Sequence, residues 1–125
     1  MNTIIIGIAG GTGSGKTSLA KGILSEYGEG EVAVIEQDSY YNDLSHIPYE
    51  ERVIQNYDHP DSIDIKLFES HLQGLLNGES VNVPTYDFST HVRMDKTTTI
   101  TPHHVIVVEG ILTLHYTQLR DLFAI

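Results

Sequence analysis

Apolar positions along this chain fall into two patterns, unbroken β-branched runs and helically spaced stripes. Ile4-Ile5-Ile6-Gly7-Ile8-Ala9, Val32-Ala33-Val34-Ile35 and Val105-Ile106-Val107-Val108-Glu109-Gly110 are short apolar runs and predict three buried strands. Between the first two, Ser18–Leu24 places Leu19, Ile23 and Leu24 on one side and predicts a helix, followed by a turn at Gly28–Glu31. A longer helix is expected where Ile65, Leu67, Phe68, Leu72, Leu75 and Leu76 share a face, after the turn and cap segment Asp58–Ser62 and closing near Asn77-Gly78. Val81–Phe88 and Arg93–Ile100 alternate like strands, with Pro84 suited to an edge position. Short helices are expected over Pro48–Val53, with Ser45 available near its start, and over Thr117–Phe123. This order of strands and helices predicts an α/β fold: a parallel sheet flanked by helices, plus a small hairpin around 81–100, in a single domain over residues 1–125. Ligands of such sheets bind at the C-terminal ends of the strands, where the segments after Ile8, Ile35 and Val108 emerge together.

The first of those segments carries the most specific signal. Gly10-Gly11-Thr12-Gly13-Ser14-Gly15-Lys16-Thr17 fills the template G-x-x-x-x-G-K-[ST] between a strand and a helix start at Ser18. Glycines let the backbone curl into a concave nest, whose N–H groups and adjoining helix dipole attract an anion. In that setting Lys16 neutralises β- and γ-phosphates and the Thr17 hydroxyl ligates Mg²⁺. The chain is therefore expected to have a P-loop fold and to bind a nucleoside triphosphate.

Charge changes this picture. With 7 basic and 17 acidic residues the formal net charge is -10, which argues against a nucleic-acid or anionic-membrane surface. No apolar run approaches the roughly 20 residues needed to span a bilayer, no signal peptide is evident, and there is no cysteine, which together favour the cytoplasm. Phosphoryl transfer needs charge stabilisation beyond one lysine and one metal, commonly from arginines on a closing segment. Lys16, Lys21, Arg52, Lys66, Arg93, Lys96 and Arg120 form no such cluster. The chain reads as the N-terminal part of a larger protein, with little turnover expected of the 125 residues alone.

Further motifs follow in a fixed order: Gln37-Asp38-Ser39-Tyr40-Tyr41, Tyr57-Asp58-His59-Pro60-Asp61, Pro84-Thr85-Tyr86-Asp87-Phe88, Thr90-His91-Val92-Arg93 and Val108-Glu109-Gly110-Ile111-Leu112. In this series the chain resembles the uridine kinase (uridine–cytidine kinase) family of P-loop kinases, over essentially its whole length. The resemblance implies transfer of the γ-phosphate of ATP or GTP to the 5′-hydroxyl of uridine or cytidine. It implies that Asp38 accepts the hydroxyl proton, and that Gly10–Ser18 hold the phosphates. Thr17 and Glu109 would serve Mg²⁺. Asp58 would hold the ribose hydroxyls, with Tyr86 and His91 on the pyrimidine, apolar contact from Tyr41 and Tyr57, and Arg93 as an approach to the phosphates. It also implies a lid with arginines after these residues and a homo-oligomer, often a tetramer.

An aspartate with a pKa of about 4 is a weak base, but a loose transition state asks little of it, because positioning does most of the work. Taken one at a time, these residues fit other readings as well. Asp38 and Asp58 suit turns, Tyr86 a half-buried strand, His91 a loop, Arg93 a solvated hairpin and Glu109 a strand end. The remaining histidines show no zinc-ligand spacing, and His103-His104 reads as the lead into a strand. A related kinase of a sugar phosphate, such as phosphoribulokinase, would share the loop and carboxylate but need a basic acceptor pocket. A GTPase-type switch would need N-K-x-D and D-x-x-G segments, which do not occur here. A non-catalytic nucleotide-binding module accounts for the loop alone.

Overall fold

The computed structural model describes residues 3–8, 22, 25–26, 29–57, 59–110 and 116–123. The candidate phosphate loop (Gly10–Thr17, with Ser18) and Asp58 lie outside the described residues. The helix expected over Ser18–Leu24 is described there only at Gly22, which is helical, as are Ser25 and Glu26 just beyond it.

Strands β1 (Ile4–Ile8), β2 (Val32–Glu36) and β5 (Val105–Glu109) form a parallel sheet in the order β1-β5-β2. Parallel pairing requires long crossovers between strands, and the chain supplies them between each pair. β5 is central, and Val105 to Val108 are buried on both faces. Ile106 and Val108 join Ile5 and Ile35 on one face, while Val105 and Val107 join Ile8 and Val32 on the other. The period of two thus divides one apolar run between two cores. β2 is less buried than its apolar sequence predicts, with Val34 46% exposed. Among the described residues it lies at the sheet edge, and Val34 is exposed on the same face as the buried Val32.

After β2 the chain makes a tight 3-10 turn, Gln37–Tyr40, and later a single helical turn α1, Tyr49–Arg52. α1 is shorter than the predicted 48–53 and starts from Pro48 without a side-chain cap. Ser45 does not cap it: its amide and hydroxyl both donate to Asp43, closing a local Asx-type turn. A further 3-10 turn, Pro60–Ser62, is capped by the His59 ring, which accepts from the Asp61 amide. Helix α2 (Ile65–Leu76) then begins at Asp64, whose carboxylate accepts from the Leu67 amide. It ends at Asn77 and Gly78, the latter with φ of +83° where a side chain would be strained. Phe68, Leu72 and Leu75 are fully buried on its inner face.

Strands β3 (Val81–Asp87) and β4 (Val92–Ile100) pair antiparallel as a separate two-stranded hairpin. β3 faces the core through Val83 and Tyr86, whereas Met94–Thr99 of β4 are exposed. The register shifts between Pro84 and Tyr86, leaving extra β4 residues opposite Thr85. Such a bulge, with Asp95 and Lys96 beside it, discourages edge-to-edge pairing. Last comes the short helix α3, Thr117–Arg120, in place of the predicted 117–123, with Leu119 buried. Among the described residues no helix is long and apolar enough to cross a membrane.

Candidate functional site

The register of the parallel sheet sets the geometry of the site. Ile8 of β1 and Glu36 of β2 both stand opposite Glu109, the last residue of β5. All three strands therefore finish level, on one edge. Gly110 donates its amide to the Ile8 carbonyl (3.1 Å), which binds the end of β5 to the last residue of β1, two positions before the candidate phosphate loop. Glu109 sits half-buried at this edge and offers hard carboxylate oxygens suited to Mg²⁺. Among the described residues no cluster of three metal-ligating side chains occurs, so Glu109 would need ligands from the loop and the nucleotide.

Asp38 is exposed on the turn that follows β2, two residues beyond Glu36. Both of its flanks are buried. Gln37 is 1% exposed and packs against Gly110, where an added Cβ would stand 2.4 Å from the Gln37 Cβ and Oε1. Tyr40 is 0% exposed, with its ring stacked on Phe68 of α2 at a centroid distance of 4.2 Å. The Gln37–Gly110 contact brings the Asp38 turn beside the residue that follows Glu109.

Immediately after Tyr40 an aromatic group begins. Tyr41 meets Tyr57 (5.3 Å), Tyr86 (5.2 Å) and Phe88 (6.4 Å), and Tyr86 meets Phe88 at 5.3 Å. His91 stacks on Tyr57 at 4.8 Å with 16° between planes. Tyr41, Tyr57, Tyr86 and His91, far apart in sequence, are thus brought together. Among the described residues the buried Tyr86 hydroxyl has no hydrogen-bond partner, and the neighbouring Tyr57 hydroxyl donates to the Arg52 carbonyl (2.6 Å). Burial, with the Tyr57 hydroxyl beside it, pushes Tyr86 above the ordinary phenol range, so it remains a proton donor at neutral pH. A buried donor without a partner, in a wall of rings, is a feature of a ligand site more than of a finished core.

His91 owes its placement to the hairpin turn. The Asp87 carboxylate accepts from the Ser89 amide (2.9 Å), the Ser89 hydroxyl (2.6 Å) and the Thr90 amide (3.3 Å), and His91 donates its own amide to the Asp87 carbonyl. These bonds hold Asp87 below the usual carboxylate range, the Ser89 hydroxyl contributing most. His91 itself has φ of 58°, a left-handed conformation uncommon for a side-chain-bearing residue. Arg52 ties this turn to the rest of the site: Nη1 donates to the Thr90 carbonyl, and Nε lies within 3.0 Å of the Leu44 and Ile47 carbonyls.

Arg93 is likewise engaged by protein groups. Its Nη2 donates to the Tyr41 carbonyl (3.1 Å) and approaches Asp64 Oδ2 (3.4 Å), while its amide donates to Asp43. It fastens β4 to the segment after the Asp38 turn and to the cap of α2. Beside Tyr57 lies a cleft of about 230 Å³ whose walls include Asn42, Asn56, His59 and Asp61. Sequence reasoning passed over Phe88, Tyr49 and Arg52. Phe88 was within reach, standing two residues after Tyr86 in the same motif. Tyr49, whose ring lies 6.4 Å from His91, carries no sequence signal.

Comparison with known proteins bears on the family and the fold. The model of the Phosphoribulokinase / Uridine kinase family matches residues 5–125. The chain is 52% identical over 122 residues to the uridine kinase of Clostridium perfringens, covering 98% of this chain and 59% of that protein. It is 52% identical over 117 residues to the uridine kinase of Chloroflexus aurantiacus, covering 94% and 56%. The chain thus spans somewhat under two thirds of the length of these relatives. Among solved structures it is similar in fold to a possible uridine kinase from Bacillus stearothermophilus, with a TM-score of 0.67 and 19% identity over 99% of this chain and 68% of that one. Phosphoribulokinase from Rhodobacter spheroides has a TM-score of 0.69 at 14% identity, covering 99% of this chain and 49% of that one. With the expected α/β P-loop kinase fold in place and its family model matched from Ile5 to Ile125, the chain belongs to the phosphoribulokinase/uridine kinase family.

Proposed function

We propose that this chain supplies the phosphate loop, the proton acceptor and the nucleoside-facing wall of an enzyme that phosphorylates the 5′-hydroxyl of uridine or cytidine. The observation that carries the reading is the single sheet edge. The end of β1, the Asp38 turn and Glu109 meet there, and the aromatic group starts three residues after Asp38 at Tyr41.

In this reading the Gly10–Ser18 backbone and Lys16 hold the β- and γ-phosphates of ATP or GTP. Thr17 and Glu109 hold Mg²⁺, which when bound neutralises charge on the phosphates. Asp58 takes the ribose hydroxyls, while Tyr41, Tyr57 and His91 enclose the base and the unpartnered Tyr86 hydroxyl donates to one of its acceptors. The nucleoside O5′ attacks the γ-phosphorus in line, the bond to the β–γ bridging oxygen breaks, and the O5′ proton passes to Asp38. Nucleoside monophosphate and diphosphate are the products. The same reading places the enzyme in the cytoplasm as a homo-oligomer, tetrameric by family resemblance, with no nucleic-acid or membrane partner.

A neutral acceptor suits the wall better than a sugar phosphate does. Arg52 and the Nη2 group of Arg93, beside the aromatic group, are engaged by the Leu44, Ile47, Thr90 and Tyr41 carbonyls and by Asp64, and Arg93 Nε is buried with no hydrogen-bond partner among the described residues. An anionic acceptor would require cations aimed into the pocket. The test is acceptor-dependent ADP formation by the protein at the length of its relatives, with uridine, cytidine and ribulose 5-phosphate. Turnover of either nucleoside and not of the sugar phosphate is expected. Turnover of the sugar phosphate alone would overturn the assignment.

A further inference from the structure

The turn bearing Asp38 has no side-chain cap: Glu36, at its start, makes no capping hydrogen bond. Four residues of 3-10 helix hold themselves weakly, so their position depends on what grips the ends. One end is Gln37 against Gly110. The other is Tyr40, gripped by α2 on two sides. Its ring stacks on Phe68 with 3° between planes and meets the His71 ring edge-on at 5.6 Å, and its hydroxyl lies 2.8 Å from His71 Nδ1.

Proton positions in this pair follow from the surroundings. Burial raises Tyr40 above the ordinary phenol range, against the opposing pull of Arg93. Burial also lowers His71, with Arg93 adding to the effect and Asp64 resisting it. Tyrosine therefore keeps its proton and the imidazole is neutral. With the ring hydrogen on Nε2, Nδ1 accepts from the Tyr40 hydroxyl. Position 71 adjoins Leu72 and lies one turn from Phe68 and Leu75 on the packed side of α2, where an apolar side chain would serve packing equally well. The stack on Phe68 would survive in a phenylalanine. What the hydroxyl and imidazole add is direction, a fixed rotation and depth for Tyr40 and so for the turn behind it.

We propose that His71 is a positioning residue for Asp38, acting through the Tyr40 hydroxyl to fix the turn that presents the carboxylate at the sheet edge. The inference rests on the reading of Asp38 as the proton acceptor. A displacement of about 1 Å at a reacting group costs up to about a hundredfold in rate, so a remote hydrogen bond that sets this placement is felt in kcat.

The experiment uses the protein at the length of its relatives, with Tyr40→Phe, His71→Leu, His71→Asn and the double variant Tyr40→Phe/His71→Leu. Asparagine keeps an acceptor near the Nδ1 position. Tyr40→Phe and His71→Leu are each expected to lower kcat about tenfold, with KM for nucleoside and ATP within about twofold. The double variant should be no slower than either single one, and His71→Asn should recover most of the loss. Amide exchange at Asp38, Ser39 and Tyr40 should accelerate in Tyr40→Phe and His71→Leu while that of β5 does not. Unchanged kcat, additive losses, or a loss confined to KM would overturn the proposal. Should the unsubstituted protein phosphorylate neither nucleoside, the functional reading fails, and exchange alone decides the positioning of the turn. Unchanged protection at residues 38–40 then overturns it.

Discussion

Two residues show how closely backbone and side chain are matched at the candidate site. Gly110 leaves no room for a Cβ, because Gln37 fills that space at 2.4 Å. Gly110→Ala must push Gln37 out of its buried position, and Asp38 with it. We expect a loss of about 1–3 kcal/mol in denaturant unfolding, typical of overpacking, together with a lower kcat. At φ of 58°, His91 carries backbone strain that a glycine would not. His91→Gly should therefore unfold at higher denaturant than His91→Ala, by about 1 kcal/mol, while both raise KM for the nucleoside through loss of the ring against Tyr57. If the two variants are equally stable, the left-handed conformation is not held in solution. Neither property was legible in the sequence. G-x-x after Glu109 and a histidine in a polar loop look the same whether or not a neighbouring segment closes upon them.

At the scale of elements, the hairpin and α2 differ in what holds them. α2 is anchored by Phe68, Leu72 and Leu75 in the core, and Leu72→Ala is expected to cost about 2–5 kcal/mol, read from the denaturant midpoint. The turn at the hairpin tip depends instead on Asp87 accepting three hydrogen bonds from Ser89 and Thr90. Its carboxyl is held below the usual range, so the folded state prefers it ionised. The resulting stability is present above the unfolded pKa of about 4 and is lost as pH falls through the lower folded value. Amide protection of Ser89 and Thr90 should therefore fall as the pH drops below about 4 in the natural protein, and be low at every pH in Asp87→Ala. A pH-independent protection would show that the amides are held by something else. Elements of this kind were readable because their signals are local. The apolar runs became β1, β2 and β5, and the stripe from Ile65 to Leu76 became α2 at those same bounds. Helix ends at Tyr49–Arg52 and Thr117–Arg120 were not, since no cap marks either start and packing decides where they stop.

For the molecule as a whole, function depends on whether segments distant in sequence share one edge. Sequence order implied a parallel sheet with the segments after Ile8, Ile35 and Val108 on one edge; the register shows Ile8, Glu36 and Glu109 level, and packing between distant segments brings Tyr41, Tyr57, Tyr86 and His91 into one group. Long-range pairing of this sort leaves no mark in a local window, whereas the motif series pointed to it through family resemblance. The roles of Arg52 and Arg93 as internal fasteners were likewise invisible, because a charged residue in a polar stretch reads as solvated until its carbonyl partners are known. The central claim is that Asp38 stands at this edge to take the proton of a nucleoside hydroxyl. The most direct measurement is kcat for uridine phosphorylation with Mg-ATP by Asp38→Asn beside the unsubstituted protein, both at the length of their relatives. Asparagine fills the same space without accepting the proton. A fall in kcat of about a hundredfold or more, with KM for uridine little changed, is the result expected of a general base. A kcat within about twofold of the unsubstituted protein would contradict the account.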